Sequence, residues 1–436
     1  MQSFALSLVS SLAFLWSLAL ASPDQQLQIN TVGDVKECTV TPAGPGKDDV
    51  PAILKAFKEC NYGGRVLFPK GQRYWIATKL NPVVDTIEID WQGEWKASST
   101  AHSFSDGGNS YPIEFQNHAA GFILGGKNIK IDGHGTGGIH GNGDVWYNDE
   151  EAKTRPGRPM PFVLVNVTDV VVKNFYVIQP QLWAINIMGG KNLEFENIYV
   201  NATATRAPWG KNWVQNTDGF DTMDAKDVKL TNFVYQGGDD CIAIKPRSYN
   251  IEVRNATCRG GNGMAIGSLG QYQEDSTVEN VLVKDVKIIR YNEDMHNCAY
   301  IKTWIGESVE QKGYESAGKP RGGGWGIVRN ITFSNFDIDG ADGAPSINQD
   351  NGNNGKHAGS SKMEVSQIVF ENFRGHLNGR SSVTSSINCS KVKPCFDIEY
   401  RNFKLRPKKG AEGFGTGKCK NIKPGSVKGL AGEGCS

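Results

Sequence analysis

Two carboxylates stand side by side in "YQGGDDCIAIKP" (235–246), Asp239 and Asp240, just before an alternating apolar run. Adjacent like charges repel, so a strand running into a packed core gains nothing from them unless they do chemistry. Two neighbouring segments are polar in the same way: "QNTDGFD" (215–221) supplies Asp218 and Asp221, and "GGNGMAIGS" (260–268) supplies Asn262. Asp218 precedes Asp239 by 21 residues, and Asn262 follows it by 23. A fourth segment, "YIKTW" (300–304), puts Tyr300 and Lys302 on one side of a strand, because side chains alternate. Clustered carboxylates hold a proton among them, since like charges at close range do not all ionise cheaply. Glycoside hydrolysis needs that arrangement: one carboxylic acid protonates the leaving oxygen while another carboxylate activates water. A calcium site and an inert polar turn are the competing readings. Calcium asks for more convergent oxygens than these segments offer, and the strict glycine-aspartate nonapeptide of calcium-binding repeats is absent.

The elements that must position these groups are repetitive. Short units resemble one another: "NIKIDG" (128–133), "DVVVKNFYV" (169–177), "NLEFENIYV" (192–200), "DVKLTNFVY" (227–235) and "NIEVRNATC" (250–258), with further copies at 278–289, 328–338 and 365–375. Each has an Asn or Asp, alternating apolar residues, a second Asn or Asp near a turn, and another short alternation. The pattern predicts strands of three to five residues without tight hairpins between them. Such strands stack as an all-β, right-handed parallel β-helix, one coil per repeat, with asparagines laddered at a turn. A spacing of 21 to 23 residues is then one coil, which stacks the polar groups about 4.8 Å apart on one face. Upstream, "GKDDVPAILKAFKECNYGG" (46–64) predicts a short capping helix. Asp48 or Asp49 caps it, Pro51 lies in its first turn, Ile53, Leu54 and Phe57 share a face, and Gly63 and Gly64 end it.

The chain has 436 residues, with Lys+Arg 47 against Asp+Glu 46. That balance gives no reason to expect nucleic acid or an anionic membrane as partner. An apolar run from about Phe4 to Leu20 ends in Ala19-Leu20-Ala21, the small-x-small pattern of a cleavable leader, although no Lys or Arg precedes it. Residues 1–21 are read as a signal peptide and 22–436 as one catalytic domain, secreted and monomeric, with no membrane partner after cleavage. Sequons at Asn166, Asn201, Asn255, Asn330 and Asn388 are candidate glycosylation sites. None of the nine cysteines forms a CxxC or a Cys/His cluster, so zinc is not expected, nor any other cofactor. Proximity suggests the pairs Cys38–Cys60, Cys241–Cys258, Cys389–Cys395 and Cys419–Cys435, leaving Cys298 over.

"NTDG", "GGDDC" and "GNGMAIGS", followed by "IKT", resemble the ordered motifs of glycoside hydrolase family 28, the polygalacturonases, from about Gly46 to Arg374. The resemblance implies a pectin-lyase-like β-helix, a pectic substrate and inversion at the anomeric carbon. It implies Asp239 as general acid, Asp218 and Asp240 as activators of water, and Asn216 as a hydrogen-bonding support. Two positions depart. The family's usual Gly-His-Gly is Gly261-Asn262-Gly263 here, and its usual Arg-Ile-Lys is Tyr300-Ile301-Lys302. Asn carries neither the proton nor the charge of His, and Tyr cannot make the bidentate pair of Arg. Asn262, Tyr300 and Lys302 therefore enter as substrate-binding candidates, with Lys302 able to pair with a uronate.

"GSLGQY" (267–272) is most similar to the exo-acting branch, which includes exo-rhamnogalacturonan hydrolases. The leading expectation is an exo-enzyme releasing terminal galacturonate from pectic chains. The same acids would serve an α-L-rhamnosidase, and a non-catalytic carbohydrate-binding β-helix is the reading from another class. Insertions at 103–115 and 146–162 are expected to close one end of the groove. Trp209, Trp213 and Trp304 are candidates for stacking on sugar rings or for packing, and His296 for a partial replacement of the missing imidazole.

Overall fold

The computed structural model describes residues 23–98, 108–154, 156–291, 297–352, 356–379 and 381–435. Residues 1–21, read as a signal peptide, His296 and residues 103–107 of the 103–115 insertion lie outside the described residues. One continuous sheet of 25 strands runs through the chain, parallel throughout except for an opening hairpin, Leu27–Val32 with Val35–Val40. Successive coils pair in register: Val163–Ile178 lies on Ile185–Asn201, which lies on Phe220–Gln236, then on Ser248–Arg259 and Val278–Ile289.

The strands are longer than the sequence pattern predicts. Val163–Ile178, Ile185–Asn201 and Phe220–Gln236 run for 16, 17 and 17 residues. Each turns corners without breaking its pairing, and the corners fall on residues with left-handed backbone. Pairing of Val163–Ile178 with the next coil skips Asn166, Asp169 and Asn174, whose φ angles are 51°, 55° and 52°. Asn and Asp accept that conformation more readily than other side chains, and it bends the strand while the flanking residues stay paired.

The corner amides then join coil to coil in two ladders rather than one. In the longer, Nδ2 of Asn174, Asn197, Asn232 and Asn255 donates to Asp132, Asn174, Asn197 and Asn232 at 3.0, 2.9, 2.9 and 2.7 Å. In the other, Asn250 donates to Asp227, Asn280 to Asn250 and Asn330 to Asn280, at 2.7, 3.0 and 2.8 Å. Two of the candidate sequon residues, Asn255 and Asn330, are thus ladder members, and Asn388 donates to Asn348 and Asp350.

Inside the coils, apolar side chains stack as the amides do outside. Phe333 lies on Phe370 at 5.4 Å and Phe336 on Phe373 at 4.6 Å. The helix Val50–Glu59 covers the open end of this core through Ile53 and Phe57, with Pro51 in its first turn. Asp49 occupies the capping position but makes no side-chain cap. Its carboxylate instead accepts from Ala43 N, Trp75 N and Gln26 Nε2 at 2.7, 2.6 and 2.7 Å, tying three segments to the cap. The four disulfides are those proximity suggests, and Cys298 is buried with a free thiol.

Candidate active site

A second track of short strands forms one face of the solenoid. Phe220–Gln236 pairs through its first residues with Asp240–Ile244, which pairs with Gly263–Leu269 and then Ala299–Trp304. The register aligns Asn186, Asp221, Ala243, Ala265 and Tyr300 in one row, on the face opposite the inward-pointing Ile242 and Ile244. Two alanines in the middle of that row keep it low, with an acid on one side and a phenol on the other.

The segments preceding these strands bring the predicted acids together. One carboxylate oxygen from each of Asp218, Asp239 and Asp240 lies within 4.8 Å of the others. Asp218 and Asp240 are buried, whereas Asp239 is partly exposed. Asp239 is held from both adjacent coils. Its Oδ2 accepts from Asn216 N at 3.0 Å, and its Oδ1 accepts from Asp240 N and Asn262 Nδ2, both at 2.9 Å. Asn216 and Asn262 each lie 23 residues from Asp239, so the one-coil spacing is what lets all three touch. The glycines before Asp239 and Asn262 are forced by close approach. A Cβ on Gly238 would sit 2.1 Å from Asn212 Oδ1, and one on Gly261, at φ +67°, would sit 2.1 Å from Asp239 O.

Each buried acid faces a cation, one of which is shared. Asp240 Oδ2 accepts from Lys302 Nζ at 2.9 Å, and Asp240 Oδ1 accepts a short hydrogen bond from the Tyr300 hydroxyl. The two substituted positions, Asn262 and Tyr300, thus bind the acids themselves. Lys245 Nζ lies 3.4 Å from Asp218 and 3.6 Å from Asp221, and 4.0 Å over the Trp183 ring. Sequence reasoning assigned Lys245 no role; it sits in the apolar run after Asp240, where a lysine is out of place unless it meets buried charge.

Burial pushes the Asp239 carboxyl above the usual range, and the Asp240 charge adds to this, against Lys302 and the N–H groups of Asn216 and Asp240. Burial, then Asp221 and Asp239, hold Asp218 well above that range. Asp221 is pushed up to about 7, chiefly by burial, with Lys245 opposing. Burial alone would lower the Lys245 ammonium, yet Asp221 and Asp218 keep it above its ordinary value. Calcium would need a shell of oxygens; here two of the acids face ammonium groups and the third faces N–H donors.

Further groups brace the site. Thr154 Oγ1 donates to Asn216 Oδ1 at 2.7 Å, and Arg158 reaches Thr154, Gln215 O and Glu150 at 3.2, 3.1 and 3.1 Å. The 146–162 insertion therefore buttresses the Asn216 turn. The described end of the other insertion packs on neighbouring coils: Phe115 lies against Trp183 and Tyr272 at 6.3 and 5.6 Å, and the adjacent Gln116 N donates to Tyr272 Oη at 3.0 Å. Lys319, on a loop the sequence reading passed over, pairs with Glu114 at 3.3 Å. Trp304 is buried beneath the Arg321 guanidinium at 4.6 Å, Trp213 is half-buried, and Trp209 is exposed.

Residues 64–431 match the model of glycosyl hydrolases family 28. The chain belongs to that family. It is a glycoside hydrolase, as other members of family 28 are. A protein of Aspergillus niger named as a galacturan 1,4-α-galacturonidase C is 60% identical over 395 residues, covering 91% of this chain and 93% of its own. An α-L-rhamnosidase of the same organism is 35% identical, covering 85% of this chain and 83% of its own. Among solved structures, an endo-xylogalacturonan hydrolase from Aspergillus tubingensis superimposes with a TM-score of 0.77 at 24% identity, over 92% of this chain and all of the other (100%). That likeness carries the right-handed parallel β-helix of family 28 to this chain.

Proposed function

We propose that this family 28 enzyme removes galacturonate from the non-reducing end of pectic chains, with Asp239 as the proton donor. The observation that carries the assignment of roles is the division of charge in the acid cluster. Asp218 and Asp240 each face a lysine, while Asp239 touches none, is raised by burial, and is the one of the three open to a ligand. Burial holds Asp218 well above the usual range too, so access joins charge in assigning the donor: of the three, Asp239 is the one open to a leaving oxygen. Asp218 and Asp240 then hold and deprotonate water on the opposite side of the bond. The contact of the Phe115 segment with Tyr272 and the Lys319 loop supports a groove blocked at one end, where a chain terminus fits and an internal segment does not.

Inversion follows from the family resemblance, although oxygens within 4.8 Å are closer than the roughly 6.5–9.5 Å common for inverting pairs. Proton NMR of the first-formed sugar decides this: the β-anomer is expected, and the α-anomer would assign a retaining route. Rhamnose release is the second reading. Its specific support is the likeness, at 35% identity, to a protein named as an α-L-rhamnosidase; Lys302, which donates to Asp240 and Tyr300, keeps one donor for a uronate in either reading. Incubation with oligogalacturonides and with rhamnose-terminated oligomers, followed by identification of the monosaccharide, separates the two. Galacturonate from the first substrate is expected; rhamnose alone, from the second, would overturn the assignment. Secretion is proposed with it, supported by four disulfides, which persist in oxidising compartments. Among the described residues no helix is long and apolar enough to cross a membrane.

A further inference from the structure

Loop 202–216, which leads into the Asn216–Asp218 turn, carries a tryptophan that folding does not explain. Trp209 is 92% exposed, more than any other large hydrophobic residue among those described. It lies between Arg206 and Lys211, both exposed, and neither side chain has a carboxylate partner among the described residues. Some surface cations do find carboxylates, as Lys36 with Glu59 and Arg73 with Glu94, so it is the pairing of two unmatched cations with a bare indole that marks this loop.

The loop is nonetheless fixed on both sides of this patch. Thr205 N and Oγ1 donate to the Asp144 carboxylate at 2.7 and 2.6 Å, and Arg206 N donates to Asn148 Oδ1 at 3.1 Å. Beyond the tip, Lys211 N donates to Pro208 O at 3.0 Å, and Asn212 Nδ2 donates to Gly238 O at 2.8 Å. Gly238 immediately precedes Asp239. Trp209 is three residues from Asn212, so at most roughly 11 Å of chain separates the indole's backbone from the anchor beside the proton donor.

We infer that Arg206, Trp209 and Lys211 form a docking surface for an acidic polysaccharide, the body of the pectic chain whose end occupies the site. The inference rests on the proposed function for the identity of the chain. An indole presents a flat apolar face to the C–H face of a sugar ring, and two cations beside it complement carboxylates repeated along a polyuronate. Because the loop is already ordered, binding loses little conformational freedom in the protein. A neutral glycan would use the indole and leave both cations idle; a disaccharide confined to the site would use neither.

The test combines Trp209→Ala with Arg206→Gln and Lys211→Gln. Retardation in native gels containing polygalacturonate or neutral galactan is compared in an Asp239→Asn background, so that the polymer is not consumed. The parent should be slowed by polygalacturonate and not by galactan, and the triple variant should bind polygalacturonate about tenfold more weakly, as loss of an aromatic platform and two charges suggests. Trp209→Phe alone should keep most of the retardation. In the active background, KM for polygalacturonate should rise by about the same factor while kcat/KM on digalacturonide stays within about twofold. Unchanged retardation, or equal losses on dimer and polymer, overturns the docking surface. Retardation by galactan equal to that by polygalacturonate overturns the acidic partner. Failure of the unaltered protein to release galacturonate from digalacturonide would count against the proposed function, and the gels would still read the patch.

Discussion

The outer corners and the cleft face of the same coils treat polar groups in opposite ways. At the corners, Asn174, Asn197, Asn232 and Asn255 hand hydrogen bonds from coil to coil, so each side-chain oxygen within the run meets the amide above it. On the cleft face, more deeply buried oxygens of Asn186, Asp218, Asp221 and Asn262 accept no hydrogen bond among the described residues. Both sets repeat at the one-coil spacing, so spacing alone does not distinguish support from chemistry. The difference lies in whether the neighbour at that spacing is complementary. Amide over amide closes a ladder; carboxylate over carboxylate leaves a proton and a ligand to be bound.

That contrast is broken most sharply at Asp239. Asp239→Asn should lower kcat more than about one-hundredfold, because an amide has no proton to give, while the thermal midpoint changes little. A variant that keeps most of its turnover would remove Asp239 from the donor role. Next in size is Lys245→Met, which leaves Asp218 and Asp221 without a cation. Removing one partner of a buried pair costs about 3–5 kcal/mol, so urea unfolding near neutral pH should show a loss of that order. The deficit should shrink as pH falls and the two acids protonate. In the surviving enzyme, the acidic limb of the kcat/KM profile should move upward, since the water-activating carboxylate would hold its proton to higher pH. A pH-independent deficit with an unmoved profile would make Lys245 a packing residue.

At the corners the expected effects are confined to stability. Asn232→Ala deletes the bond to Asn197 and the one from Asn255, and places alanine at φ 56°. About 2–4 kcal/mol should be lost, from two hydrogen bonds and the left-handed backbone, with kcat unchanged. Asn232→Gly should lose less, because glycine accepts the backbone angle freely. A fall in kcat would mean that the ladder positions the site as well as supporting it.

The remaining effect is a drift of stability with pH. The Asp221 pKa is raised in the folded protein, so above its unfolded value the folded state binds more protons. Stability from this group is therefore highest below about pH 4 and declines as pH rises toward about 7, where the folded-state pKa lies. Asp221→Asn should flatten that decline in the thermal midpoint by a few degrees.

The sequence made the solenoid legible because coil length, Asn-rich corners and alternating Val and Ile are local signals that repeat. The same periodicity places Asp218, Asp239 and Asn262 within reach of one another from spacing alone. Strand length was misread, since a left-handed asparagine looks like the end of a strand when it is only a corner. Thr154, Arg158 and Lys245 went unread for another reason. They lie in segments without periodicity, or inside an apolar run, and their partners are 62, 57 and 27 residues away. Only a lysine among isoleucines and alanine hinted that buried charge was near.

The ladders also bear on how such a protein can change over generations. The bond from Asn255 to Asn232 closes over 23 residues and the one from Asn330 to Asn280 over 50, yet the two are made alike, at 2.7 and 2.8 Å. Additional residues between successive rungs can be spliced into a loop without disturbing the stack beneath it. A lineage can therefore lengthen, shorten or replace the walls around the acids, and so exchange one sugar chain for another, while the scaffold is inherited unaltered.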